Sequence, residues 1–136
     1  EDIDAKGKTL LPGLIDAHVH QSQDAANLAE AVMFGVTTQL DMGSANAAKL
    51  AEVRGENDPK KADAFGAGRW VTAPGGHGGS KPPTLASAAE ADAFVAARAA
   101  EGANYIKLII SKELPTLGPA EAAAVVKERM RADFKS

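Results

Sequence analysis

The sequence predicts one α/β domain built of parallel β-α repeats, and three observations carry that expectation. Apolar runs of strand length alternate four times with stretches of helical spacing, an order that argues for parallel strands joined by right-handed crossovers. Each helical stretch opens on a capping residue or a proline. With 136 residues, 45% of them hydrophobic, the chain can bury the core of one ordinary domain.

The first strand is Gly13-Leu14-Ile15-Asp16-Ala17-His18-Val19-His20. Successive strand residues point to opposite faces, which puts Asp16, His18 and His20 on one face and Ile15, Ala17 and Val19 on a packing face. Asp24 then caps a helix running to about Phe34, with Leu28, Ala31 and Val32 at helical spacing and Gly35 as its stop. Residues 36–42 form the second strand. Ser44 or Asn46 starts a second helix through Leu50 and Val53, which ends near the polar run 55–59.

Residues 69–73, Arg-Trp-Val-Thr-Ala, form the expected third strand, followed by a glycine- and proline-rich loop over 74–83. Ser87 and Glu90 form a capping box for a third helix carrying Ala91, Phe94, Val95 and Arg98, and Gly102 ends it. Trp70 and Phe94 are expected in the core. The fourth strand is 105–110. Pro119 opens a fourth helix with Ala122, Val125, Val126 and Met130, and Lys127, Arg129 and Arg131 sit near its negative end.

Composition excludes several function classes. A net charge of -3 leaves no broad basic surface, so nucleic acid is not an expected partner. No apolar run is long enough to span a bilayer, and residues 1–4 lack the features of a signal peptide. Without cysteine there is neither a disulfide framework nor a thiolate metal site, which suits a cytoplasmic protein. The missing initiator Met points to sequence upstream.

Two features carry chemistry. Neutral imidazoles at His18 and His20 can share one metal ion; a pair of half-exposed histidines at a strand end is the alternative. Lys107 lies inside the apolar run Tyr105-Ile106-Lys107-Leu108-Ile109-Ile110, where a charge is costly unless it is paired or removed. A lysine made neutral by burial can take up carbon dioxide as a carbamate, an anionic oxygen ligand; the alternative is a lysine snorkelling from an edge strand. His77, within Gly75-Gly76-His77-Gly78-Gly79, is either a substrate contact or a solvated loop residue. That loop is no phosphate loop, because Ser80 and Pro82 stand where the pattern needs glycine and a hydroxyl. Asp41, at the end of the second strand, either orients a ligand histidine from behind or serves a turn or helix cap.

The run Lys8-Thr9-Leu10-Leu11-Pro12-Gly13-Leu14-Ile15-Asp16-Ala17-His18-Val19-His20 resembles the first barrel strand of the metal-dependent amidohydrolase superfamily. Gly35-Val36-Thr37-Thr38 with Asp41-Met42-Gly43 resembles that family's second strand. Gly75-Gly76-His77-Gly78 and Gly102-Ala103-Asn104-Tyr105-Ile106-Lys107 resemble its third and fourth, above all in the imidazolonepropionase-like and prolidase-like branch.

The resemblance implies that residues 13–136 are the first half, four strands, of a TIM-type (β/α)8 barrel, and that 1–12 are the remnant of a preceding small β-sandwich. A whole barrel needs about 250 residues. It further implies His18, His20 and a carbamylated Lys107 as ligands of a divalent metal, zinc first among them, with His77 beside the substrate. Three ligands leave a position open for water. The implied activity is hydrolysis of amide or cyclic amide C–N bonds. The histidines of the family's fifth and sixth strands and the aspartate of its eighth have no counterpart here, so the complete mechanism is not expected of this chain alone. Its expected partners are a small-molecule amide and either the missing carboxyl-terminal half or further copies of itself. An inactive half-barrel that self-associates to bury its open strand edges is the alternative.

Overall fold

The computed structural model describes residues 3–20, 24–43, 47–54, 58–79 and 83–132. Strand β1 (Leu14–Val19) is followed by helix α1 (Ala25–Met33), β2 (Val36–Asp41), α2 (Ala47–Arg54) and β3 (Asp63–Gly66). A single 3-10 turn (Ala88–Glu90) leads into α3 (Ala91–Ala100), and α4 (Pro119–Arg131) is the last helix among the described residues. The three strands form a parallel sheet in the order β1-β2-β3. No helix among the described residues is long and apolar enough to cross a membrane.

The helices arise where the capping chemistry places them. The Asp24 carboxylate accepts the Ala26 N–H at 2.9 Å, and Phe34 closes α1. The expected starts of α2, Ser44 and Asn46, lie outside the described residues. The expected capping box does not form: Glu90 accepts the N–H of Ala86 at 2.9 Å rather than that of Ser87, and the Ser87 hydroxyl turns to the Glu90 carboxylate rather than to a backbone N–H. Released from that cap, the first turn winds as 3-10 before α3 begins.

The third strand corrects the sequence expectation. It is Asp63–Gly66, not residues 69–73. Alanine and glycine carry little strand signal, yet Ala62, Ala64, Gly66 and Ala67 are all buried, because small side chains fit where the strand is covered closely. After Gly66 the chain leaves the sheet, and the apolar run that looked like a strand makes one parallel bridge, Val71 to Leu108. In it the Val71 N–H donates to the Lys107 carbonyl at 2.7 Å and the Ile109 N–H to the Val71 carbonyl at 2.9 Å. Residues 105–110 therefore run beside β3 and its continuation without forming a full fourth strand. The Asn104 N–H donates to the Gly66 carbonyl at 2.8 Å, fixing where that segment starts.

Two apolar clusters hold the unit. Leu28 and Ala31 of α1 pack with Ala62 and Ala64 against β3, with Val32, Val36 and Val53 alongside. The larger cluster joins Val71, Leu85, Phe94, Val95, Leu117 and Val125, and Ile106 and Leu108 pack against it. Thus α3 and α4 cover the Val71–Leu108 pairing. The expected packing face of β1 is only partly covered among the described residues. Ile15 is 64% exposed and Val19 half-buried, and Leu14 on the other face is 62% exposed, since β1 is the sheet edge and α1 packs over β2 and β3 instead.

Candidate active site

The strand ends build the site. Pairing of β1 with β2 is irregular between Asp16 and Val19, where three residues of β1 advance against two of β2 (Asp16 opposite Gln39, Val19 opposite Asp41). This irregularity breaks strict alternation. His18 and His20 stay together, their ring centroids 5.5 Å apart and tilted by 54°. Asp16 parts from that cleft and lines a separate depression of about 460 Å³ with Asn27, Glu30 and Gln39, which His20 also borders.

His20 is held from behind. A carbonyl can only accept, so its contact at 3.2 Å with the Gly43 oxygen puts the proton on Nδ1 and leaves the Nε2 lone pair for a ligand. Gly43 is fixed in turn. Its N–H donates to the Asp41 carboxylate at 2.9 Å, and Asp41 is fully buried. Asp41 thus reaches His20 through one residue of backbone.

Tyr105 ties this arrangement to the rest of the sheet. Its hydroxyl proton is shared between the carbonyls of Asp41, at 2.9 Å, and Phe65, at 3.2 Å, so it clamps the ends of β2 and β3. Burial first, and then the negative Asp41 carboxylate, push the phenol well above its ordinary value. Below about pH 10 the hydroxyl is protonated in folded and unfolded chains alike, and its bonds contribute fully. At higher pH the unfolded chain loses the proton first, so that stability falls as the pH rises from there toward the raised folded value. Stability measured by urea denaturation should therefore drop above about pH 10, and Tyr105→Phe should flatten the drop while costing roughly 1–2 kcal/mol at neutral pH. As the chain has one tyrosine, the phenol absorbance reports this group alone.

His18, His20, His77 and Lys107 all line one cleft of about 650 Å³. The three histidines are exposed and Lys107 is half-buried. Met42, Gly43 and Trp70 form another part of the wall, and residues 108–111 complete it. Trp70 corrects the sequence reading: it is a cleft wall and only partly buried, whereas Phe94 is core as expected. The missed signal was position, since the only tryptophan stands beside Arg69 at the start of its apolar run, four residues before the glycine-rich loop. Among the described residues no three His, Cys, Asp or Glu side chains converge on a common point.

Parallel β-α units with side chains gathered beyond their strand ends are the local architecture of α/β barrels. Solved structures share this fold. The chain superposes on a proposed prolidase from Bifidobacterium longum with a TM-score of 0.71 at 24% identity, covering 90% of this chain and 33% of that one. It also superposes on an amidohydrolase (TM-score 0.68, 22% identity, 97% of this chain and 44% of the other). For the A. niger ochratoxinase the TM-score is 0.68 at 17% identity, over 88% of this chain and 40% of that one. This chain therefore has a fold similar to amidohydrolase-superfamily enzymes and spans between a third and under half of their length. No family profile matches the sequence, and no curated protein matches it.

Proposed function

We propose that this chain is the amino-terminal half of the barrel of a metal-dependent amidohydrolase, acting on amide or cyclic amide C–N bonds. Residues 1–12 are read as the end of a preceding small β-sandwich. The observation that carries the reading is the convergence of His18, His20, His77 and Lys107 on one cleft from three separate segments of the chain.

The donors fit a divalent metal in part. Two imidazoles lie within reach of one another, and the Gly43 carbonyl leaves the Nε2 of His20 free to ligate. Lys107 becomes a ligand only as a carbamate: its neutral amine forms an N–C bond to carbon dioxide and releases one proton, giving an anionic oxygen donor. Imidazole with such an oxygen suits zinc, and iron or manganese also. A divalent ion held there would supply Lewis acidity to water and to a substrate carbonyl. The chain's own residues then have separate tasks. His18 and His20 would hold the ion, Asp41 fixes the Gly43 turn behind His20, and His77 would contact the substrate from its loop. The groups that complete the reaction come from a carboxyl-terminal half or a second copy, which would also cover Leu14 and Ile15 on the open edge of β1.

Elemental analysis of the full chain, purified without chelator and with bicarbonate present, tests this reading. Near-stoichiometric metal is expected, and the double variant His18→Ala/His20→Ala should lose it. Absence of metal from both samples, or its retention in the variant, would overturn the assignment.

A further inference from the structure

The tryptophan at the cleft wall lies between two glycines that belong to different parts of the site. Gly43, at φ +146, has the indole so close that a Cβ there would stand 2.5 Å from Trp70 Cε3. Gly78, at φ +65, meets the opposite end, where a Cβ would stand 2.7 Å from Cζ2 and 2.8 Å from Nε1. Real Cβ atoms do not approach that closely, so the indole occupies the space that any side chain at either position would need.

Each glycine carries a different functional group. The Gly43 carbonyl holds His20, and Gly78 follows His77 directly. Arg69 reinforces the second contact: its guanidinium lies 4.5 Å from the centre of the Trp70 ring, and its Nη2 donates to the Gly78 carbonyl at 3.4 Å. Among the described residues the indole Nε1 is buried with no hydrogen-bond partner, a cost that packing against the loop must offset. A buried orphan N–H is unexpected for a residue that merely fills space.

We propose that Trp70 is a positioning residue, a rigid wedge that sets the His77 loop and the Gly43 turn holding His20 at a fixed separation. The indole thus joins the Gly43 turn behind His20 to the loop that carries His77. It follows that a change in the loop displaces the His20 turn only while the wedge is in place. The effect on metal affinity rests on the proposed ligand role of His20; the effect on the Gly43 turn does not.

A double-mutant cycle on the full chain tests the wedge, using Gly78→Ala, Trp70→Phe and the two combined. Phenylalanine keeps an aromatic wall yet lacks the Cζ2 and Nε1 atoms that meet Gly78. Strain from alanine at positive φ is present in both backgrounds and cancels in the cycle. Two readouts are taken: the amide N–H resonance of Gly43 in metal-free protein, and cobalt(II) affinity in bicarbonate. With Trp70 present, Gly78→Ala should move the Gly43 resonance and weaken cobalt binding about tenfold. With Trp70→Phe it should change neither. Equal effects in the two backgrounds, or an unmoved Gly43 resonance, would overturn the wedge. If the resonance couples as expected but no chain binds cobalt, the wedge stands and the metal reading fails.

Discussion

Stripped of bicarbonate, the chain should bind divalent metal far more weakly than in its presence, and Lys107→Ala should erase the difference. Lys107 is half-buried in the cleft beside His18 and His20, and its backbone carbonyl is already engaged with Val71. As an ammonium it offers only donors and repels a cation; as a carbamate it offers oxygen and a negative charge. Losing an outer-shell hydrogen bond typically costs roughly 10–100-fold in metal affinity, and losing a direct ligand should cost at least that. The measurement is a competition titration with and without bicarbonate, for the parent chain and for Lys107→Ala. Restoration of affinity to Lys107→Ala by millimolar acetate would show that an oxygen anion, rather than lysine packing, is what the site needs. Affinity indifferent to bicarbonate in the parent chain would remove Lys107 from the ligand set and leave it a snorkelling lysine.

Phe94→Ala should destabilise the chain by about 3–5 kcal/mol, a large part of the roughly 5–15 kcal/mol available to a domain of this size. Phe94 is only 7% exposed and sits in the cluster that joins α3 to Val71, Leu85 and Val125. Arg98, one turn on, places its guanidinium 5.0 Å from the ring centre and pairs with Glu101, so truncating the ring also strips cover from a buried cation. The consequence reaches the site. Ile106 and Leu108 flank Lys107 and pack against this cluster, while a single bridge to Val71 is the strand pairing they have. Hydrogen exchange should therefore show the Ile109 amide, which donates to Val71, losing protection before the amides of the β2–β3 pairing. Phe94→Leu, closer in volume, should recover more than half of the loss. Uniform loss of protection across the sheet would mean that the two clusters unfold as one unit.

Much of the fold was legible in the sequence because its signals are local. Asp24 before an apolar period, Pro119 at a first turn and Ser87 with Glu90 each act within a few residues, and a helix follows each of them in the structure. The strand Asp63–Gly66 was not legible. Of its four residues only Phe65 favours a strand, and it is pairing with β2 on one side and the Asn104 contact with Gly66 on the other that make them one. The run 69–73 misled for the converse reason: Val71 has strand chemistry, but after Gly66 the chain has turned away from β2 and finds a partner at one point.

The site divides along the same line. Sequence by itself determined which side chains can do chemistry: a histidine pair at a strand end, a lysine in an apolar run and a histidine among glycines are unusual for energetic reasons that require no partner. The tertiary structure decided what surrounds them. It gathered His18, His20, His77 and Lys107 over one cleft, removed Asp16 from that cleft through an irregular strand pairing, and joined Asp41 to His20 through the Gly43 backbone. It also made Trp70 a wall rather than core, because the two glycines facing the indole lie 35 residues apart in the chain and only folding brings them to it. Periodicity and capping are short-range and can be read along a line, whereas orientation and contact depend on residues distant in sequence and exist only once the strands have paired.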